Sequence, residues 1–281
     1  MLSLVLTAAS GEGESEGFTP PSPADFNLPP IGGSTSSSTF EFLGQANYAG
    51  VTKPMVQLVL VAILVFALFY AASRKRAMVP GKLQYVGEEA YGFVRNSIGR
   101  DIIGSHDFQR FVPYLFALFF FVLFNNFAAT VPFLQFPTFS RSGLVYSLAL
   151  LSWVVYNGVG IKKHGFVGYF KLQSVPSGVH GPILALLIPL EFLSNILVRP
   201  VTLALRLFCN MFAGHLLLIL FALGGEYLIA EMGGAYIGVG LLSWVLFIAV
   251  AFLEVLIQFL QAYVFVLLTA MYIAGALADE H

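Results

Sequence analysis

The stretch Leu241–Ala274 reads "LLSWVLFIAVAFLEVLIQFLQAYVFVLLTAMYIA". It holds no proline and no glycine, and its single charge is Glu254. The residues that punctuate a chain are missing, and one Glu does not break a helix. The apolar block from Gly233 to Ala278 is therefore expected to be one continuous helix. A helix of about 40 residues is about 60 Å long, against about 30 Å of bilayer hydrocarbon. It has to lie about 60° from the membrane normal, beyond the usual tilt range. The competing reading is two ordinary spans with a hidden turn near Glu254, and the missing turn chemistry weighs against it.

A second apolar block, Pro182–Leu223, precedes this one, and "GGEYLIAEMGG" (Gly224–Gly234) reads as an acidic, glycine-bearing turn between them. Pro189 and Pro200 can bend or break the earlier block. So short a connection makes the two blocks antiparallel neighbours. Working toward the N-terminus, "GLVYSLALLSWVVYNGVGI" (Gly143–Ile161), "FVPYLFALFFFVLFNNFAATVPF" (Phe111–Phe133) and "MVQLVLVAILVFALFYAA" (Met55–Ala72) are each long enough to span. Asn125 and Asn126 lie deep in one of them, where an amide most often bonds a neighbouring helix. Between Pro80 and Arg110, Val86, Ala90, Phe93, Val94, Ile98 and Ile102 recur at helical spacing among charges, as in an amphipathic helix on the membrane surface. The "GSHD" nearby (Gly104–Asp107) reads as a polar turn rather than a Ser–His–Asp constellation, since adjacent residues rarely form a triad.

The fold expected is thus an all-α polytopic membrane protein. It has about five crossings, an amphipathic surface helix and two long tilted antiparallel C-terminal helices. Composition agrees, with 58% hydrophobic and 10% charged residues in 281, where a soluble domain carries about 25% charged. Arg74–Arg76 and Lys162, Lys163 and Lys171 mark the cytoplasmic side, which sets the N-terminus outside and the C-terminus inside. Residues 1–52 contain no Lys or Arg and are rich in Gly, Pro and Ser. They read as an acidic flexible external tail, ahead of a transmembrane domain over 53–281. "MLSLVLTAAS" has the apolar core of a signal peptide without its basic start. The net charge of −1 gives no support for a nucleic-acid partner. One cysteine, Cys209, excludes an intrachain disulfide. No phosphate-cradling G-x-x-x-x-G-K-[ST] and no H-E-x-x-H metal pair occur, and the five histidines lack ligand spacing. No cofactor and no metal are expected.

The last two blocks nevertheless carry Glu191, Ser194, Asn195, Arg199, Arg206, Asn210, His215, Glu254, Gln258 and Gln261. In an antiparallel pair, residues at one depth have numbers of constant sum. Arg206 with Gln261, Asn210 with Gln258 and His215 with Glu254 come close to that. Glu254, Gln258 and Gln261 follow i, i+4, i+7 along one stripe. Arg206 and Asn210 share a face, whereas His215 lies about 180° from Arg206. A mid-membrane arginine costs about 2.5–3.5 kcal/mol on insertion scales, and such charges mark ion paths. Guanidinium stays protonated and cannot relay a proton, but it can hold a carboxylate ionised. This chain offers no acid at that depth, so the anion belongs to a second protein. His215 and Glu254 both titrate and can pass a proton.

These residues resemble subunit a of the F-type ATP synthase membrane sector, of the bacterial type. "RPVTLALRLFCNMFAGHLL" (Arg199–Leu217) carries R-L-x-x-N-x-x-A-G-H from Arg206 to His215, and "LEVLIQFLQAYVFVLLTAMYIA" (Leu253–Ala274) carries Q-A-[YF]-[VI]-F from Gln261. The likeness extends more weakly over residues 55–281. It implies that Arg206 faces a rotating ring of c subunits, with Gln261 beside it. It implies that Asn210, His215, Glu254 and Gln258 line an outer half-channel. Glu191 resembles an acid of the inner half-channel but lies nine residues before Pro200, one more than in many relatives. Family members carry an acid and a histidine at the positions of Glu254 and His215, in either order. The implied partners are the c ring, b-type peripheral stalk subunits and the rest of the synthase. The implied location is the bacterial plasma membrane, and the transported ion is the proton. By this resemblance the isolated chain is no enzyme but a non-nucleotide-binding subunit of a rotary translocase. The alternative is a secondary transporter or antiporter-type ion channel subunit, which expects internal repeats and broken helices.

Overall fold

A computed structural model describes residues 18, 20–26, 31, 38–42, 45–48, 51–74, 81–104, 107–131, 136–174, 183–234 and 236–278. The signal-peptide reading, Ser105 and His106 of "GSHD", and Lys75 and Arg76 lie outside these. Before the first span come a 3-10 turn, Pro23–Phe26, and a hairpin of β1 (Ser38–Phe42) and β2 (Gln45–Tyr48), paired antiparallel. Among the described residues, the regular elements after it are all helical. The order is α1 (Lys53–Arg74), α2 (Lys82–Phe93) with a π-wound continuation Val94–Ile103, α3 (Phe108–Ala128), α4 (Ser142–His164) and α5 (Phe166–Ser174). There follow α6 (Ile183–Leu193), a π turn Ser194–Val198, α7 (Arg199–Tyr227), a π turn Leu228–Met232 and α8 (Tyr236–Leu277). Among the described residues, five helical runs are long and apolar enough to cross a membrane: Lys53–Arg74, Phe108–Ala128, Ser142–His164, Leu186–Met232 and Tyr236–Leu277.

The chain forms two compact units. One contains Met1–Lys53 and Phe212–Leu256, the other Pro54–Met211 and Ile257–His281. In the second, aromatic side chains do much of the packing, as a chain with 28 Phe allows. Phe69 of α1 meets Phe116 and Phe120 of α3 edge-on, each at 4.6 Å. Of the amphipathic stripe, only Val94 and Ile98 are buried, while Ala90 and Ile102 are half-buried. Val94 and Ile98 are fully covered, and Gly99 lies so close that an added Cβ would stand 3.1 Å from Val112 of α3. Val86 is exposed. Its neighbours Leu83 and Tyr85 are too, and such a face suits the lipid interface. The sequence also hides α5, a nine-residue helix set off from α4 by Gly165 at φ +74°. Tyr169 of α5 fills the space left by Gly160, where a Cβ would fall 2.1 Å from its ring.

The two C-terminal helices differ from expectation in one respect and match it in another. α8 runs 42 residues without a break, so no hidden turn exists at Glu254. Of the turn before it, however, the described residues are only Gly233 and Gly234, both at φ +57°. Most of "GGEYLIAEMGG" continues the preceding helix, which is helical over 47 residues from Leu186. The reason lies in the first unit, where Gly225 and Gly240 let two backbones approach closely. A Cβ on Gly240 would stand 3.0 Å from the Gly225 carbonyl oxygen and 2.5 Å from Ile229. Ser243 Oγ donates to the Phe221 carbonyl at 2.8 Å in the same contact. Gly240→Val is expected to destabilise by about 1–3 kcal/mol through overpacking, read as a lower melting temperature of the assembled protein. Gly238→Val, where an added Cβ meets nothing within 4 Å, is the control expected to change little.

Candidate functional site

Arg206 sits mid-way along α7 on a face that the chain leaves exposed, together with Cys209 and with the half-buried Asn210. Leu203, Ala204, Leu207, Phe208 and Met211 form the opposite, buried face. The i, i+3, i+4 spacing of the polar face is the helical arithmetic expected. Among the described residues Arg206 makes no hydrogen bond and no ion pair. Gln261 and Gln258 of α8 are buried within the second unit. No bond joins Gln261 to Arg206 among the described residues, and the Gln261 amide nitrogen has no partner there. Among the described residues, depth matching therefore brings no Arg206–Gln261 hydrogen bond. Beside Gln258 stands Asn126 of α3, whose Nδ2 donates to the Gln258 carbonyl at 3.0 Å. That is the interhelical bond expected of a buried amide, and the Asn126 side-chain oxygen has no hydrogen-bond partner among the described residues.

His215 and Glu254 do meet. In the first unit, Nδ1 of His215 lies 3.3 Å from Oε1 of Glu254, with the two side chains 12% and 5% exposed. Gly214 makes room: a Cβ there would be 3.3 Å from the same carboxylate oxygen. The small residue just before His215 thus lets α8 bring Glu254 in. The aromatic edge of this unit is Phe26, 2% exposed, whose ring stands 5.0 Å from that of Phe212.

Glu191 belongs to a third grouping that the sequence disclosed only in part. Asn195 Nδ2 lies 3.1 Å from Oε2 of Glu191 and donates to the Gln173 carbonyl of α5 at 2.8 Å. Gln173 Nε2 donates to the Tyr169 hydroxyl at 3.1 Å, and that hydroxyl donates to Oδ1 of Asn157 at 3.0 Å. Burial pushes the Tyr169 hydroxyl above its usual pKa, only partly offset by the Gln173 bond and the charge of Arg199, so it stays a proton donor. Arg199 stands 5.2 Å over the ring of Tyr272, whose other neighbour is Tyr156 at 5.4 Å. Tyr169 and Gln173 went unnoticed in the sequence because α5 is short and weakly periodic. Trp153 and Tyr272 read there simply as apolar residues of spans. Among the described residues, no three His, Cys, Asp or Glu side chains come together as metal ligands.

The arrangement is an acid with an amide partner, a histidine–carboxylate pair, and an outward arginine without an anion of its own among the described residues. Comparison with known proteins points the same way. The family model described as ATP synthase A chain matches residues 55–274. The chain is 72% identical over 268 residues to ATP synthase subunit a of a Nocardioides species, covering 95% of this chain and 96% of that one. It is 46% identical over 283 residues to ATP synthase subunit a of Pseudarthrobacter chlorophenolicus, covering all of both. Against ATP synthase subunit a of Streptomyces lividans the identity is 40% over 265 residues, 94% of this chain and 90% of the other.

Proposed function

The chain belongs to the ATP synthase A chain family, a multi-pass membrane subunit of an ATP synthase, and from that premise we propose that it is the stator proton channel of an F-type rotary translocase. The observation that carries this reading is Arg206, a permanent charge on a membrane helix, turned outward and without an anion in its own chain among the described residues. A charge so placed is stable only against a partner carboxylate. A ring of c subunits, each with one intramembrane acid, would bring such carboxylates past it in turn.

A proton enters from outside by way of Glu254 and His215, with Asn210 and Gln258 along the path, and neutralises a ring carboxylate. The neutral site can then face lipid, which a carboxylate cannot. After almost a full turn it releases the proton into an inner half-channel at Glu191, and the bare carboxylate returns to Arg206, oriented by Gln261. Each charge crossing 100 mV supplies about 2.3 kcal/mol. Arg206 keeps the two half-channels from exchanging protons directly. Nucleotide chemistry falls to other subunits, b-type stalk subunits hold this one still, and residues 1–52 form a tail on the outer side of the channel domain 53–281. The membrane is the bacterial plasma membrane, with the N-terminus outside and the C-terminus cytoplasmic.

Affinity purification through a C-terminal tag tests the assignment. A co-purifying ring of small hairpin proteins is the expected result, while a homo-oligomer alone would mean a self-sufficient transporter. Orientation is tested separately in a Cys209→Ser background. A cysteine at the exposed Val51 is expected to react with an impermeant thiol reagent applied to intact cells, and one at the exposed Tyr85 is not. The opposite labelling inverts the topology.

A further inference from the structure

Between Glu191 and Arg206 the helix changes its winding. Ser194–Val198 is a π turn, closed by the Arg199 N–H on the Ser194 carbonyl five residues back. A π turn takes up one residue more than the α-helix around it, and one residue turns all that follows by about 100°. The angular relation of Glu191 to Arg206 thus depends on this turn keeping its form. Next to it stands Pro200. In an α-helix the N–H of residue 200 would bond the Ile196 carbonyl, and proline has none. The indole of Trp153, from α4, donates to that carbonyl instead, at 2.8 Å. One helical turn along α4, Asn157 Nδ2 donates to the Trp153 carbonyl at 2.7 Å. Asn157 also receives the Tyr169 hydroxyl, so the chain of bonds through Gln173 and Asn195 to Glu191 begins beside the same tryptophan.

We propose that Trp153 is a positioning residue for proton transfer: its indole N–H holds the π turn Ser194–Val198 and so fixes the bearing of Glu191 relative to Arg206. The proposal rests on the half-channel roles given to those two residues. Trp153 is not one of the residues assigned to the half-channels or to the ring. It acts by supplying the donor that Pro200 withholds, from a helix that also holds the Glu191 side chain through Asn157. A carbonyl left without a donor in the membrane is costly. Loss of the indole N–H therefore shifts the turn toward windings that satisfy Ile196 within its own helix, and these carry Glu191 round.

Trp153→Phe keeps an aromatic ring and removes only the donor. In inverted vesicles with matched amounts of assembled complex, its ATP-driven proton pumping is expected to fall about tenfold, equivalent to about 1.4 kcal/mol on a barrier. Adding Pro200→Ala returns an N–H to the helix at the place where Ile196 lacks one. The double variant is expected to recover at least about a third of the pumping rate, since an interaction energy of this kind marks groups that share a partner. A purely packing role for the indole would give no such rescue. Pumping by Trp153→Phe equal to the parent overturns the proposal, and so does a double variant no better than Trp153→Phe alone. If Trp153→Phe leaves too little complex to measure, the amount assembled becomes the readout, and Pro200→Ala must raise it or the proposal fails. Arg206→Ala in the same vesicles reads the channel assignment independently: pumping by that variant sinks the assignment, whereas its silence beside a fully active Trp153→Phe sinks only the role of Trp153.

Discussion

Arg206→Ala is expected to abolish proton-driven ATP synthesis, a drop of at least about a hundredfold, while the complex still assembles. Assembly should survive because the side chain is exposed in this chain and bonds to nothing within it among the described residues. Truncation orphans no internal partner, and such changes usually stay within about 0.5 kcal/mol. Function should not survive, because the next cation on α7, Arg199, lies about two turns away and stands 5.2 Å over the Tyr272 ring rather than at the level of Arg206. Without it a ring carboxylate has no anchor between the two half-channels, and passive proton leak through the membrane sector is expected to rise. The measurement is synthesis in inverted vesicles, normalised to assembled complex by immunoblot. Ordinary rates from an assembled Arg206→Ala complex would remove the mechanism.

Exchange of His215 and Glu254 should show a different signature. The pair is in contact at 3.3 Å and largely covered, so its protons belong to the pair rather than to either residue. His215→Glu sets two carboxylates against each other, and Glu254→His sets two imidazoles. Each is expected to cut proton-driven synthesis by about a hundredfold, within the range for a displaced proton-transfer group. The double exchange restores one acid and one imidazole at the same contact. Gly214, with no side chain facing residue 254, leaves space for the ring there. A recovery of at least about tenfold over the worse single variant is the expected non-additivity of groups in contact. A double variant no better than either single would show that the two do not act as an exchangeable pair.

The unbroken α8 was legible in the sequence because absence of Gly, Pro and polar clusters is a local property, and helix winding obeys local rules. The exposed, polar face of Arg206 and Asn210 was legible for the same reason, since spacing along one helix fixes which side chains share a side. The His215–Glu254 contact followed from depth matching on two antiparallel helices. The same matching did not yield an Arg206–Gln261 bond, because residue numbers fix level along an axis and not the direction in which a long side chain turns.

By itself, then, the sequence determined the number of crossings, the two long C-terminal helices and the polar residues they carry. All of these depend on apolar runs, on turn residues and on the cost of polar groups in lipid. What only the tertiary structure decided was how helices far apart in the chain satisfy one another. That Pro200 lacks an N–H is plain from its name, but that the donor comes from Trp153, on another helix, depends on how α4 packs beside it. The continuation of the helix through Gly224 and Gly225 is of the same kind. Glycine favours a turn in isolation, and here it is kept helical by the close approach of Gly240 that its missing side chain permits. Hydrogen bonding in an apolar medium has to be completed somewhere, and the partner is chosen by proximity in space, which residue order along one helix does not encode.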